Sequence, residues 1–404
     1  MTDQRTILIS GAGIAGPALA YWLEARGWSV TVVETAPGVR PGGQTVDLRG
    51  AGREVVERMG LMPTARELSM EQRGIAWVDE SGRHRAEMPV DVFDGDGIVS
   101  EIEILRGDLA GLLHDATRDR VEYLFGTRIT ALDETPDAVT VTLSDGSVRT
   151  VDLVVGADGP HSTVRRMAFG PEEQFVRPVG GYTAWFTAPD HVGLDGWYEM
   201  HNAPGGLAVS MRPDSTPGGA KASFSFASEP LDYDRRDVDE QRRLIADRFA
   251  GVGWQAPALI DAAQLAEDFY FDAIVQVQMD RWSRGRIVLV GDAGYCPCPL
   301  TGMGTSLALV GAYVLAGELD RADGDLHRAF VRYEEVLRPY VERGQELPGG
   351  GMRMYAPKSG LWIRLGRLIT RAMVSRVGRP LAKRAFFSHA YDIDLPEYPA
   401  AVRS

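Results

Sequence analysis

The stretch that decides the fold runs from Arg5 to Pro37, RTILISGAGIAGPALAYWLEARGWSVTVVETAP. It reads as strand, glycine turn, helix and strand. Ile7, Leu8 and Ile9 form a short, uniformly apolar strand, the pattern of a parallel sheet covered on both faces. Gly11, Gly13 and Gly16 follow as G-x-G-x-x-G, with Ala15 inside the same turn. The three glycines serve separate ends, namely a tight turn, close approach of backbone to a pyrophosphate, and close helix–strand packing. The helix carries Leu19, Trp22 and Leu23, and Gly27 lies just past its end. The second strand, Val30 to Val33, ends in Glu34. An acid about 20 residues after the glycines suits a ribose 2′-hydroxyl and disfavours a 2′-phosphate. The unit predicts a site for FAD or NAD rather than NADP.

Three further stretches choose between the two. EILRGDLAGLLHDA (103–116) places Arg106 at the start of a helix bearing Leu109, Leu112 and Leu113. A cation opposes the macrodipole there, so an anionic ligand is a reason for its presence. VDLVVGADGPHSTVRRMAF (151–169) is a buried strand running into Asp158-Gly159, with Ser162 or Thr163 capping a helix. GDAGYCPCPLTGMGTSLALVGAYVLAGEL (291–319) follows the apolar strand Ile287 to Val290. Asp292 there is placed to accept hydrogen bonds from sugar-like hydroxyls. Gly302 and Gly304, on either side of Met303, let backbone amides approach a flat ligand, and the helix from about Thr305 points its positive end at it.

Together these motifs resemble the class A flavoprotein monooxygenases, the para-hydroxybenzoate hydroxylase-like aromatic hydroxylases. G-x-G-x-x-G, an internal D-G and a late G-D with a P-x-x-G-x-G loop occur in that order at Gly11–Gly16, Asp158–Gly159 and Gly291–Gly304. The likeness is closest to hydroxylases of polycyclic phenols, including polyketide-tailoring and tetracycline-inactivating members. It implies that Gly11, Gly13, Ala15 and Gly16 hold the FAD pyrophosphate, Glu34 the adenosine ribose, and Arg106 the phosphates or ribityl region. It implies that Asp158 serves both FAD and the nicotinamide cofactor, and that Asp292 binds the ribityl chain or pyrophosphate. Pro299, Gly302, Met303 and Gly304 would lie against the isoalloxazine. In GGQTVDLRGAGREVVERMG (42–60), Val46 or Arg49 is a candidate flavin contact. Four positions depart from the family pattern: Thr35, Tyr295, Ser306 and Gly311, where the family often has Arg, His, Asn and Asp.

The fold expected is α/β, a Rossmann-type FAD-binding domain with an inserted antiparallel-sheet substrate domain and a C-terminal bridging helix. Residues 1–178 would be the first part of the FAD-binding domain and 280–345 its last strand and flavin-facing helix. Residues 179–279, with strand-like GGYTAWFTAP, GLAVSMRP, KASFSFAS and AIVQVQMDRW, would roof the substrate cavity. VDEQRRLIADRFAG (238–251) would be a helix on its outer side. Trp185, Phe224, Phe226 and Tyr270 are the candidate cavity aromatics, with ordinary core packing the other reading of each, and Arg212 could meet an acidic or enolate substrate or be a solvated arginine at a strand end. Residues 346–404 would be a helical segment. Leu347 to Tyr391 contains no acid but nine Lys and Arg, and Leu361, Leu365, Leu368, Ile369 and Met373 give a helical apolar face. The reading preferred for it is a bridge whose bases pair with the acidic body. The other reading is a basic amphipathic helix on an anionic membrane.

Composition narrows the classes. The 404 residues are 44% hydrophobic and 25% charged, an ordinary globular mixture, and the net charge of −13 argues against a general nucleic-acid binder. Two cysteines cannot make a disulfide framework, so a cytoplasmic location is expected. Cys296 and Cys298 read as packing thiols. No signal peptide, spanning helix, repeat, metal-spaced cluster or G-x-S-x-G stretch is visible. By resemblance, NADPH or NADH reduces FAD, O₂ adds at the flavin C4a, and the hydroperoxide passes an oxygen to a nucleophilic carbon of a phenolic or enolic substrate. A flavin dehydrogenase or reductase, or an idle flavin-binding protein, are the alternatives. Oligomeric state is left open, with a monomer allowed.

Overall fold

The computed structural model describes residues 4–93, 100–347, 349–386 and 393–399. A six-stranded sheet forms the first layer. Its order is Ser283–Arg284, Ile287–Leu289, Leu153–Gly156, Thr6–Ser10, Ser29–Glu34, Glu122–Phe125. All neighbours are parallel except the two-residue edge strand. Ile7, Leu8 and Ile9 pair with Leu153, Val154 and Val155, and all six are buried, which is why both runs are unbroken by polar residues. Helices Ala15–Glu24 and Gly304–Arg321 pack on each other and on this sheet, and a three-stranded antiparallel sheet (129–151) joins the same core. The expected strand–turn–helix–strand is present, with each strand one residue longer at both ends than expected.

The second sheet has seven strands in the order Tyr270–Val277, Val176–Pro189, Gly219–Ala227, Leu207–Pro213, Trp197–Ala203, Gly74–Val78, His84–Pro89. It is antiparallel apart from one parallel pair, Trp197–Ala203 with Gly74–Val78. Its width exceeds the 179–279 segment, because residues 74–89 contribute its last two strands. Alternation gives the sheet two different faces. Tyr182, Ala184, Phe186, Val209, Phe224 and Phe226 pack beneath helices Val238–Phe249 and Ala256–Leu265, through Ile245, Phe249 and Leu259. Thr183, Trp185, Ser210, Arg212, Ser223 and Ser225 point the other way, toward the turns at the ends of the parallel strands. Contacts from that side confirm the direction: Gln276 Nε2 donates to the carbonyl of Pro297 at 3.0 Å, and Ala208 and Ile274 pack on Cys298.

The C-terminal segment ties both sheets together. Gln345 donates to the carbonyl oxygens of Val277 (2.7 Å) and Cys296 (3.2 Å), and Met352 and Ala356 pack between sheet and loop. Helix Gly360–Val374 lies along strand His84–Pro89. Residues 393–399 return to the first domain, where Tyr398 donates to Glu318 at 2.8 Å. The expected pairing of the bases with the acidic body does not hold for Arg364, Arg371 and Arg376. They have no acidic partner among the described residues: all three are exposed, Arg364 and Arg371 on the solvent side of helix Gly360–Val374 and Arg376 just past its end.

Candidate active site

Gly11 adopts φ +109° and its amide donates to Val33 at 2.8 Å. A Cβ on Gly11 would lie 2.5 Å from the carbonyl oxygen of Ala157, and one on Gly16 would lie 2.0 Å from that of Gly11. Backbone closes both positions to any side chain. Gly13 is different, since a Cβ there would meet only the tip of Arg106, at 3.2 Å. The Arg106 side chain makes no hydrogen bond or ion pair among the described residues, and its charge bears on Asp292 and Tyr270. Helix Ala15–Glu24 starts beside it with no side-chain cap. An unpartnered guanidinium over an open glycine at an uncapped helix N-terminus fits a diphosphate. The residues present therefore fit FAD. Glu34 stands at the end of its strand, but each of its oxygens already accepts a main-chain amide, from Ala12 (2.9 Å) and Ala36 (2.8 Å). It locks the glycine turn to the second strand, a role that sequence did not suggest.

The two later motifs meet each other. Asp158 accepts from Ser162, from the amide of Thr163 at 2.8 Å and from that of Val164 at 3.2 Å. Ser162 is the cap of helix Thr163–Ala168, accepting from the Arg165 amide at 3.0 Å. Asp158 thus shapes its own turn. Arg165, fully buried, donates to Pro160 and to the carbonyl of Ala293 at 2.9 Å, and so joins the D-G turn to the G-D turn. Gly291, at φ +65°, comes so close to Ala15 that a Cβ would lie 3.0 Å from its methyl. Asp292 follows; burial pushes its carboxyl up, while Arg106 and the Cys296 thiol pull it down. Pro299 begins a tight turn, Gly302 is left-handed (φ +67°), and helix Gly304–Arg321 starts behind Met303 without a side-chain cap. Its first amides remain open. Asp47 lies against this loop, 3.4 Å from where a Gly302 Cβ would be, and pairs with Arg49. Val46 lies next to Asp47 on the short strand Thr45–Asp47.

The departures from the family pattern explain one another in part. A Cβ on Gly311 would lie 1.9 Å from the Tyr295 hydroxyl, which shares a 2.9 Å hydrogen bond with the Tyr333 hydroxyl. The Tyr295 hydroxyl thus needs the room that Gly311 leaves. Ser306 donates to the carbonyl of Arg49 at 3.3 Å and closes the start of helix Gly304–Arg321 onto the 45–49 stretch. Cys296 and Cys298 are free and buried, as packing thiols should be.

On the sheet above, Trp185 stacks on Tyr270 at 6.0 Å, and the Tyr270 hydroxyl donates to Asp272 at 2.7 Å. His161 of the D-G turn bonds Asp272 (2.9 Å) with one ring nitrogen and Glu172 (3.0 Å) with the other. Burial opposes charge on this imidazole, yet the two carboxylates outweigh it and raise it to about 9. Arg212 is not a solvated strand end. It pairs with Glu103 at 3.3 Å and lies 4.2 Å over the Tyr198 ring. Glu103 is 1% exposed; burial pushes its carboxyl up, with Asp47 adding to the rise and Arg212 opposing it. Phe224 and Phe226 are corrected: both are fully buried on the helix-covered face, Phe224 against Phe249 at 4.6 Å, and they reach no cavity on the flavin side. The reading of the sequence missed Glu103, His161, Asp272 and Arg165. A signal existed for Glu103, an acid between Ile102 and Ile104 in an otherwise apolar strand. Among the described residues, no group of three or more His, Cys, Asp and Glu could hold a metal ion.

A parallel dinucleotide-binding sheet, three convergent turns and an additional, largely antiparallel sheet over them are the fold of an FAD-dependent hydroxylase. The chain belongs to the family described as FAD binding domain, whose model matches residues 4–323. It is an FAD-dependent monooxygenase of the aromatic hydroxylase type. It is 37% identical over 404 residues to a flavin-dependent monooxygenase of Legionella longbeachae, covering 99% of this chain and 100% of that one. An uncharacterised Mycobacterium tuberculosis protein is 45% identical over 353 residues, 86% of this chain and 94% of its own. The solved structure of tetracycline destructase Tet(51) superposes with a TM-score of 0.81 at 34% identity, over 98% of this chain and 100% of that one. No helix among the described residues is long and apolar enough to cross a membrane.

Proposed function

We propose that this monooxygenase hydroxylates an electron-rich, polycyclic phenol or enol, with NADPH or NADH as transient reductant. The observation that carries the reading is the polar face of the seven-stranded sheet. Its hydroxyls pair among themselves, Thr183 with Ser225 at 2.9 Å and Ser210 with Ser223 at 2.6 Å, and Arg212 stands among them. Such a face offers hydrogen bonds to a substrate carrying several oxygens, while Trp185 and Tyr270 offer ring surface. Bound FAD supplies hydride acceptance and oxygen activation. The chain's own residues do the rest. Gly11, Gly13, Ala15, Gly16 and Arg106 would hold the phosphates. Glu34 would meet the adenosine ribose with lone pairs its amide bonds leave over, and Asp292 the ribityl chain. Pro299, Gly302, Met303 and Gly304 would line the ring, with the open amides of the helix start facing negative charge. Arg212, already balanced by Glu103, would orient an enolate or phenolate oxygen, and Glu103 would hold a proton beside it. The sheet keeps water from the site. A phenolate or enolate is itself nucleophilic, so no protein nucleophile is required.

The test is a panel of polycyclic phenols and enols, tetracycline among them because of the likeness to tetracycline destructases. Substrate-dependent NADPH oxidation with incorporation of labelled O₂ supports the reading. Reduction without incorporation would identify a flavin dehydrogenase. Background oxidation with every compound would identify an idle flavoprotein.

A further inference from the structure

Helix Gly360–Val374 packs on the protein by one mixed side and turns its most apolar side outward. At about 100° per residue, Ile363, Arg367, Thr370 and Val374 share the inward side. Ile363 and Thr370 are buried, Arg367 donates to the Val78 carbonyl at 2.8 Å, and Val374 packs near Ile75 and Met88. On the opposite side, Leu361, Trp362, Leu365, Leu368 and Ile369 fall within an arc of about 120°. All five are exposed, Leu361 at 74% and Trp362 at 62%. Arg364 and Arg371 run along one border of this stripe, and neither has an acidic partner among the described residues. A chain of net charge −13 keeps every acid out of Leu347–Tyr391 while placing nine Lys and Arg there.

We infer that this helix docks the enzyme on an anionic membrane surface. An exposed Leu and Trp stripe bordered by cations lies in the plane of a bilayer interface, with apolar side chains among the acyl chains and guanidinium groups at the headgroups. A second copy of the chain is a poorer occupant. A two-fold contact through the stripe would bring Arg364 and Arg371 of both copies to one apolar seam, and the segment has no acid to balance them. Anionic lipid supplies both the apolar bed and the counter-charge. The enzyme would then meet lipophilic aromatic substrates where they concentrate.

Sedimentation of the FAD-loaded full chain with vesicles tests this directly. Phosphatidylcholine vesicles are compared with equimolar phosphatidylcholine and phosphatidylglycerol. The expected result is several-fold more protein pelleted with the anionic vesicles, reduced by salt. Leu365→Glu with Leu368→Glu should abolish pelleting while flavin absorbance and melting stay as in the parent. Should that pair disturb folding, Arg364→Glu with Arg371→Glu provides the second reading and should remove the preference for anionic lipid. The inference is overturned if the parent pellets with neither vesicle, or if pelleting survives both variants. It is also overturned if the parent is a dimer that the leucine variants dissociate and that never pellets, which would assign the stripe to a second copy.

Discussion

The glycine cradle and the sheet above it, the two halves of the proposed site, are built by opposite means. In the cradle the glycine turn itself is closed to side chains, since a Cβ on Gly16 would come 2.0 Å from a carbonyl oxygen, and the proposed ligand would be met there largely by backbone. On the sheet the work falls to side chains, and the backbone is consumed by ladder hydrogen bonds from Gly181 to Pro189 along Ala227 to Gly219. A backbone site tolerates almost no substitution, because a carbonyl cannot swing aside. A side-chain site can be rewritten without unfolding. Enzymes that share one cofactor and differ in substrate need this division.

The hardest test of that contrast is Gly16→Ala. The added methyl must displace the Gly11 carbonyl, so a loss on the order of 3 kcal/mol is expected, together with loss of flavin. Thermal melting and flavin content of the purified variant measure both. A variant with unchanged melting and full flavin would show that the turn is softer than its geometry indicates.

Within the cradle, Arg106→Ala and Asp292→Ala should separate binding from folding. Arg106 has no hydrogen bond or ion pair to lose among the described residues, only its charge interaction with buried Asp292, so its removal should change melting of the flavin-free protein little. FAD affinity should drop tenfold to a hundredfold, matching about 1.5–3 kcal/mol for a charge-assisted contact. Asp292→Ala should act in the same sense, with some change in fold stability because its carboxyl is buried. FAD affinity equal to the parent's in both variants would move these residues from the site to the scaffold.

The same contrast explains what could be read in advance. Gly11, Gly13, Gly16 and the pair Gly291-Asp292 were legible because a backbone site forces glycine at fixed spacings after a strand. Arg106 was legible because its place at a helix start opposes the dipole. The sheet was not, since alternation shows that a strand has two faces but not which one the helices will cover. Trp185 and Phe224 look alike in sequence, yet pairing puts Trp185 opposite Ser223 and Phe224 opposite Ala184, on opposite faces. Strands Gly74–Val78 and His84–Pro89 join the sheet from about 120 residues away, through a parallel pairing that no local pattern encodes. Glu34 was placed correctly at its strand end, but its two amide bonds depend on a turn that closes only in three dimensions.

A smaller effect is expected on the sheet. Trp185→Ala should leave FAD bound and the fold intact, because the ring is half-buried and packs on one partner, Tyr270. What it should change is the exclusion of water: NADPH is still consumed, hydrogen peroxide rises and hydroxylated product falls. Tyr270→Phe keeps the ring and removes only its bond to Asp272, so it should uncouple less. The ratio of peroxide to product ranks the variants, and full coupling in Trp185→Ala would place the substrate elsewhere.

The smallest effect tests the seam between the two halves. His161 belongs to the D-G turn, and Asp272 belongs to the sheet. Burial works against the imidazolium, but the bonds to Asp272 and Glu172 prevail and raise it from 6.5 to about 9. A raised histidine stabilises the folded state fully below its unfolded pKa of 6.5, and that stabilisation fades as pH climbs through about 9. Glu172 shows the complementary shift, lowered to about 2 chiefly by its bond to His161, so its share is lost only as pH falls from 4.5 toward 2. His161→Gln removes the charge and shortens the bridge. Near neutral pH it should therefore melt below the parent by an amount matching about 1 kcal/mol, the discounted value for a partly solvated ion pair. Between about pH 7 and 10 the two melting curves should converge, because the parent loses the same charge. A gap that stays constant over that range would mean that His161 joins turn to sheet as a neutral hydrogen-bonding ring, and that the seam is indifferent to pH.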